Sequence, residues 1–515
     1  MAVRSAGHAR RVGKRVCSPA AMPPPPLRAL ARTGLAALCL PAAFHIAALA
    51  RVIASRFACP LDLEYLEGAH VYHAWRLSHG LGLYGDPSRG FATFPYPPLF
   101  WVAIQAAAAC LGFNDQAGRA VSILSMIGIL AVLGWVVLRS APSRGLGVAM
   151  AVTAVAGSCA GYAYCGGSYD LTRPDTMSML LVILAAAIAR DGLMPAPRAW
   201  ATAVALAASV YTKQTGLVFA FWLIAFAFWR DWRGGLRLAW MTGLLCAATF
   251  FALEVLTRGW FGRWVAYPGR QPLFPERLGS AMVILLWHAP FLPFLPVLVW
   301  WLWRRGALRP TTALWAGMLG AGVLASLLAG IKDLAWLNVW MPGVLLSWPV
   351  AFALIGDSLH RPLDQGPRRA ISWGALACGS VLLVCIRHDL SSFVPGHDRW
   401  EASERLDAIV RGLSGGVVVT TAPMVAVSAG NTLQQPILAT YEDARNGGMR
   451  VDYVDALVGS GARWVITTDR YKGPRAPEAR MARAFEREKT FDFDVHSLAE
   501  WDHAANVVLW HKIGE

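Results

Sequence analysis

Charged side chains are scarce in this chain. Only 15% of its 515 residues are Asp, Glu, Lys or Arg, whereas 56% are hydrophobic and the mean hydropathy is +0.43. An ordinary soluble domain is about 25% charged. The composition therefore excludes a typical soluble globular protein and favours a membrane protein with several spans.

Signatures of two other protein classes are missing as well. The nine cysteines include no C-x-x-C pair and none follows Cys385, so the sequence predicts neither a disulfide framework nor a zinc ribbon. The chain also contains no P-loop sequence, the phosphate-binding signature of many nucleotide hydrolases. Most of the cysteines lie inside apolar runs, where they are expected to act as small hydrophobic residues.

The net charge of +15 is unevenly distributed. Residues 1–387 contain 33 basic and 14 acidic residues, a net charge of +19, whereas residues 388–515 contain 14 and 18, a net charge of −4. The basic excess coincides with the long apolar runs, as it does in multi-span membrane proteins. A nucleic-acid partner is therefore not expected, and the lipid bilayer is.

The hydropathy pattern divides the chain into three parts. Residues 1–32 are predicted to be a disordered basic cytoplasmic tail. Residues 33–387 are predicted to be an all-α polytopic module of about 11 transmembrane helices, with 56–117 as its first periplasmic loop. Residues 388–515 alternate strand-like and helix-like segments, with 477–489 among the latter, and predict a small periplasmic α/β domain.

Arginine clusters between the predicted spans indicate the orientation. If residues 97–112 are too short to cross, every cluster from Arg139 to Arg369 lies on the same side of the membrane as the N-terminus. The positive-inside rule then places that side in the cytoplasm. We therefore expect a multi-pass protein of a bacterial inner membrane whose C-terminal domain is periplasmic.

The first outer segment gathers acids and histidines. Glu64, Glu67 and His70 are spaced three residues apart and share one face of a predicted helix. A carboxylate beside an apolar core is costly unless it is paired or used, and desolvation suits it to general-base catalysis. Glu67-x-x-His70 also has the spacing of carboxylate metal sites, which makes His70 a candidate ligand of a divalent metal. A solvated amphipathic helix on the bilayer is the alternative interpretation.

Later outer segments place charges at the ends of predicted spans. Arg173 and Asp175 flank Pro174 at a helix start, where Asp175 would oppose the positive end of the helix dipole. Lys213 would be costly facing lipid, so a carboxylate or phosphate partner is expected. Lys332 lies in a further outer loop among aromatic residues. A helix cap and a snorkelling lysine are the simpler alternatives for Asp175 and Lys213.

Taken in order, these segments resemble the GT-C superfamily of membrane glycosyltransferases. The branch that the chain looks most like contains protein mannosyltransferase-like, aminoarabinose-transferase-like and lipopolysaccharide-core transferases. The resemblance covers about residues 33–230. It rests on Glu67-Gly68, on GLGLY ending at Tyr84, on YPPL from Tyr96 to Leu99, on RPD at 173–175 and on TKQTG at 212–216.

The resemblance implies a glycosyltransferase that uses a polyprenyl-phosphate-sugar donor on the periplasmic face. The sugar, a hexosyl or pentosyl group, would pass with inversion to an envelope glycan, lipid or protein acceptor. By resemblance, Glu67 takes the place of the first-loop catalytic acid, with Glu64 as the reserve candidate, and Asp175 takes the second acidic position. No cofactor is implied beyond the possible divalent metal.

The same resemblance gives the basic residues a role. Lys213 matches a basic position that faces the lipid phosphate, and Arg173 is expected to help it stabilise the leaving group. Tyr96 and Lys332 complete the set of residues expected to bind the donor.

A polytopic transporter or lipid flippase with an extracytoplasmic domain is the competing hypothesis, because buried charges could also line a substrate path. Transporters usually show repeats and glycine-broken helices at the midplane, which are not found in this sequence.

Overall fold

A computed structural model describes residues 25–64, 66–86, 91–332, 335–359, 365–434, 453–468, 481–493 and 506–514. Most of these residues are helical. The N-terminal helices are α1 (Pro25–Phe57), α2 (Glu67–Ser78), α3 (Leu99–Leu111), α4 (Asp115–Ser140), α5 (Arg144–Ala160), α6 (Pro174–Ala189), α7 (Ala196–Thr212), α8 (Gly216–Arg230), α9 (Trp232–Leu256), α10 (Trp260–Ala266), α11 (Leu278–His288), α12 (Phe294–Arg304), α13 (Pro310–Gly330), α14 (Met341–Ser358) and α15 (Gln365–Cys385).

The C-terminal part adds shorter helices and a small sheet. Its described elements are α16 (Asp398–Gly412), β1 (Val417–Val419), α17 (Pro423–Ser428), α18 (Tyr453–Gly459), β2 (Trp464–Thr468), β3 (Phe485–Phe491) and β4 (Val507–Lys512). The strand order is β1-β2-β4-β3, with β1 parallel to β2 and the other pairs antiparallel.

The protein is a multi-pass membrane protein by the length and composition of its helices. Among the described residues, six helices are long and apolar enough to cross a bilayer, and a bent pair after Ala370 would make a seventh. They are Thr33–Phe57, Asp115–Ser140, Arg144–Cys165, Trp232–Leu256, Pro310–Gly330 and Leu337–Ser358. The expected count of about 11 therefore stays a prediction.

Several predicted spans are short helices in the structure. Helix α6 has 16 residues and rises only about 24 Å, less than the roughly 30 Å of a hydrocarbon core. The apolar stretch from Leu278 to Arg304 is divided into α11 and α12, which have 11 residues each. Pro290 and Pro293 lie at the break, where each removes a backbone donor.

Two sequence expectations differ from the structure. Helix α1 begins at Pro25, inside the segment expected to be a tail, while residues 1–24 lie outside the described residues. Within the segment 477–489, predicted as helix-like, β3 begins at Phe485. Its Glu, Arg and Lys residues are good helix formers, but pairing with β4 overrides this preference, and the charged run lies exposed on an edge strand.

The sheet packs against the first loop of the membrane part, which we define as residues 58–114 between α1 and α4. Leu61 and Leu63 of this loop join Ile466 and Leu509 in one buried cluster with α16 and α17. On α2, the Tyr72 hydroxyl donates to the Thr432 carbonyl at 2.9 Å and accepts from the Gln434 amide. These contacts hold the first loop against the C-terminal part of the chain.

Helices α5 and α14 pack closely because a glycine faces a tryptophan. A Cβ atom added to Gly157 would lie 2.1 Å from the ring of Trp348, which is fully buried. Any side chain at this position would therefore separate the two helices or displace the ring.

We predict that Gly157→Ala destabilises the protein by about 1–3 kcal/mol, because the added Cβ would clash with the fully buried Trp348 ring. The midpoint of thermal unfolding in detergent measures the effect. Gly374→Ala in α15 is the matched control, since no described atom lies within 4 Å of its added Cβ, and it should leave the midpoint unchanged or slightly higher. Equal midpoints for the two variants would contradict this account of the α5–α14 contact.

Candidate functional site

Glu67, the first residue of α2, is fully buried and bound to Arg119 of α4. Arg119 reaches it through two nitrogens, Nε to Oε1 at 3.2 Å and Nη2 to Oε2 at 2.8 Å. The backbone amides of Thr172 and Leu63 each donate to one carboxylate oxygen, at 2.9 and 2.7 Å. Burial alone would raise the pKa of Glu67, but Arg119 and these amides outweigh it and lower the pKa below its ordinary value.

These contacts argue against the role of general base expected for Glu67. Both carboxylate oxygens are already occupied by two donors each, and the side chain has no exposed surface through which an acceptor could reach it. The structure indicates that Glu67 anchors the first loop.

The reserve candidate, Glu64, is paired as well. Arg173 donates to it from Nη2 at 2.6 Å and from Nε at 3.1 Å. Burial raises the pKa of Glu64 although the Arg173 guanidinium opposes the change. Burial also raises the pKa of Asp62 well above its ordinary value, and the nearby carboxylates of Asp115 and Glu67 add to this. Neither Glu64 nor Asp62 is among the residues that line the polar cavity described below.

His70 has contacts that do not suit a metal ligand. Its Nδ1 accepts a hydrogen bond of 2.9 Å from the indole Nε1 of Trp101. An indole nitrogen only donates, so the neutral ring must carry its proton on Nε2 and has no lone pair there for a metal. Burial lowers the pKa of His70 well below its ordinary value. Among the described residues, no three His, Cys, Asp or Glu side chains form a group that could hold a metal ion.

A second histidine on the same helix is held in a similar way. His73 contacts the Ala69 carbonyl through Nδ1 at 2.5 Å and accepts from the Phe94 amide through Nε2 at 3.1 Å. Burial lowers the pKa of His73 to about 3, so the ring is neutral at pH 7. His70 thus holds α2 against Trp101 of α3, and His73 holds it against Phe94. Tyr96 lies nearby, with its ring 5.7 Å from the His70 ring.

The basic residues expected to bind the donor meet in one polar cavity of about 190 Å³. The first loop, the starts of α6 and α8 and the segment between α13 and α14 enclose it. Its lining includes every one of the four expected donor-binding residues and one expected acid: Tyr96, Arg173, Asp175, Lys213 and Lys332. Residues separated by up to about 240 positions in the sequence are therefore brought together.

Among the described residues that line this cavity, Asp175 alone carries a carboxylate. It follows Pro174 at the first turn of α6, where the helix dipole favours a negative charge. Lys213 Nζ lies 2.5 Å and Asn338 Nδ2 lies 3.0 Å from the same oxygen, Oδ1. The other oxygen, Oδ2, is buried and has no hydrogen-bond partner among the described residues.

The cavity carries more positive than negative charge. Three cationic side chains, Arg173, Lys213 and Lys332, line it together with one carboxylate. Lys332 donates to the Pro268 carbonyl at 3.1 Å. Burial lowers the pKa of Lys332, and the charge of Lys213 lowers it further. An anion in the cavity would relieve this repulsion and form charge-assisted hydrogen bonds.

An apolar groove of about 750 Å³ lies on α8, α11, α12, α13 and α14 and shares no lining residue with the polar cavity. On α13, Ala325 lines the polar cavity and Val323 lines the groove, and residues two positions apart point to different sides of a helix. Thr215, directly before α8, lines the cavity, and Trp222 of α8 lines the groove. The polar cavity suits an anionic group, and the groove suits a long apolar chain.

The sequence does not indicate the partners of two acids in this region. Arg119 lies at the start of an apolar run, and an arginine within a predicted span is a recognisable signal of a buried acid such as Glu67. Asn338 lies in the same outer loop as Lys332, but nothing in its sequence surroundings points to Asp175, which precedes it by 163 positions.

Comparisons with known proteins concern the fold. No family model and no curated protein sequence matches the chain. Among solved structures, it is similar to ArnT from Cupriavidus metallidurans, both bound to undecaprenyl phosphate and in the apo state. The TM-score is 0.52 for both, the identities are 13% and 12%, and the match covers 91% of this chain and 97% of ArnT.

A weaker match, with a TM-score of 0.46 and 10% identity, is to the archaeal oligosaccharyltransferase AglB from Archaeoglobus fulgidus. It covers 82% of this chain and 69% of AglB. The likeness to ArnT confirms that the chain has a fold of the GT-C type, as expected from the sequence.

We predict that Arg119→Leu destabilises the protein by about 3–5 kcal/mol, because it leaves the buried Glu67 carboxylate without its cation. Thermal or denaturant unfolding in detergent measures the loss. Arg198→Leu is the control, since Arg198 pairs with Asp191 at a partly exposed site and the change should cost at most about 1 kcal/mol. If Arg119→Leu unfolds like the control, the proposed anchoring of the first loop by Glu67 and Arg119 is wrong.

Proposed function

We propose that the protein is a glycosyltransferase that moves a sugar from a polyprenyl-phosphate-sugar donor to an envelope acceptor. The reaction would take place on the periplasmic face of a bacterial inner membrane. The observation that carries the proposal is the polar cavity, where three cations and one carboxylate meet, in a chain that also has a large apolar groove. ArnT, whose fold the chain shares, has been crystallised with undecaprenyl phosphate, a ligand of this chemical type.

The donor phosphate would bind between Lys213 and Lys332. Both ammonium groups line the polar cavity, and their mutual repulsion favours an anion between them. Arg173 adds a third cation on the same wall, held in place by its two bonds to Glu64. The polyprenyl tail would lie in the apolar groove, whose lining is almost entirely hydrophobic.

Asp175 would act as the general base through Oδ2. The acceptor hydroxyl or amine attacks the anomeric carbon, and its proton passes to Oδ2, which has no other described partner. The bond from the anomeric carbon to the phosphate oxygen breaks, and its electron pair stays on the leaving polyprenyl phosphate. Lys213, Lys332 and Arg173 would stabilise the negative charge that grows there. One displacement of this kind inverts the anomeric carbon.

The first-loop acids would then have positioning roles. Glu64 orients Arg173 toward the polar cavity, and Glu67 fixes the start of α2 through Arg119. Tyr96 would face the donor sugar, because its ring lines the cavity and lies 5.9 Å from Lys213 Nζ.

We predict that Asp175→Asn lowers the rate of sugar transfer by about 10²- to 10⁴-fold, because the proton acceptor is removed, and that the loss of the ion pair with Lys213 also lowers stability. The assay measures transfer from a panel of polyprenyl-phosphate-sugars in membranes, alongside thermal unfolding. Lys213→Met should instead weaken binding of undecaprenyl phosphate, and Lys489→Met on the exposed strand β3 is its control. A wild-type rate in Asp175→Asn would refute the assignment of the base.

We further predict that Gly320→Trp selectively impairs long-chain donors. Gly320 lines the apolar groove, and no described atom lies within 4 Å of its added Cβ, so a larger side chain can start there without a clash and its indole would take up space in the groove. The KM for a C55 donor should rise about tenfold or more, while a short-chain analogue is used as before. Gly243→Trp in α9 also meets no described atom but lies outside the groove lining, and it should change neither value. Equal effects on long and short donors would exclude the groove as the site of the tail.

A further inference from the structure

Asp175 is held asymmetrically. Lys213 and Asn338 both contact Oδ1, at 2.5 and 3.0 Å, and no described group donates a hydrogen bond to Oδ2. Two donors on one oxygen fix the rotation of the carboxylate, so that Oδ2 keeps one direction. Since the Asp175 side chain is only 9% exposed, water does not replace a missing partner freely.

Lys213 has two possible partners in the same cavity. In the structure it binds Asp175, but the proposed function also requires it to neutralise the donor phosphate. An ammonium group carries three donors on a flexible four-carbon stem, so it can move between neighbouring anions. When it turns toward the phosphate, Oδ1 of Asp175 loses the closer of its two contacts.

Asn338 cannot make the same exchange. Its amide is neutral and gains less from a phosphate than Lys213 does, and its side chain is 4% exposed. It lies on the short helical turn Leu337–Trp340 directly before α14. This turn is closely packed, because a Cβ added to Gly330 would lie 2.2 Å from Trp340 and one added to Gly166 would lie 3.1 Å from Leu337.

We propose that Asn338 is the positioning residue of the base: it holds Oδ1 of Asp175 after Lys213 has moved to the donor phosphate. The inference rests on the proposed function and adds an order of events to it. The carboxylate then keeps one neutral donor on Oδ1 and no cation there, while Oδ2 stays directed at the acceptor proton. Donor binding thereby leaves Asp175 ready to take the proton of the acceptor.

The test compares Asn338→Ala and the isosteric Asn338→Asp with the wild type. We expect kcat to fall about 10- to 100-fold in both variants, because a misplaced reacting group costs rate. The affinity for undecaprenyl phosphate in Asn338→Ala should change less than twofold. Asn114→Ala is the control, because Asn114 caps α4 away from the cavity lining and should lower stability without changing kcat.

Each outcome of the experiment has a defined meaning. An unchanged kcat in Asn338→Ala, or a loss of undecaprenyl phosphate affinity as large as the loss of rate, would overturn the inference while leaving the proposed function intact. Absence of transfer by the wild type would overturn the proposed function and this inference together. In a structure with undecaprenyl phosphate bound, the Lys213–Asp175 contact should be broken and the Asn338–Asp175 contact kept, and the reverse pattern would also contradict the inference.

Discussion

All five N–H groups of Arg119 are used inside the protein. Nε and one hydrogen of Nη2 bind Glu67, and the other three bind the carbonyls of Arg56, Cys59 and Leu61. A buried ion pair is tolerated only when its remaining donors and acceptors are satisfied, and this one meets that condition on both sides. The end of α1 and the first loop, including the start of α2, are thereby fixed to α4 by this one guanidinium, and the first loop supplies part of the wall of the polar cavity.

The Glu67–Arg119 pair and the polar cavity differ in how their charges are satisfied. In the Glu67–Arg119 pair, both charges are paired and fully buried, so the pair has a structural role and no group left to bind a ligand. At the cavity, Lys213 and Lys332 lie close enough for one charge to affect the other, and the single described carboxylate keeps an oxygen without a partner. A buried polar group without a hydrogen-bond partner is costly, and proteins retain such groups where a ligand supplies the missing partner.

The sequence grouped the residues that line the polar cavity, but it did not indicate which basic residue pairs with each acid. Charges at the ends of predicted spans on one side must lie near one membrane face, which is why Arg173, Asp175 and Lys213 could be grouped in advance. Which base pairs with which acid depends on helix packing, and the local spacing of Glu67 and His70 carried no information about Arg119 or Trp101. The strand β3 was missed for a similar reason, since its pairing with β4 outweighs the local preference of its residues.

The bond between Tyr72 and Thr432 joins residues 360 positions apart. Ribosomes add about 5–20 residues per second, so roughly 20–70 s separate the synthesis of α2 from that of the segment that binds it. During this interval the first loop lacks the sheet that later buries Leu61 and Leu63. The first loop therefore completes its packing only after β2 and β4 have been synthesised, late in the production of the chain.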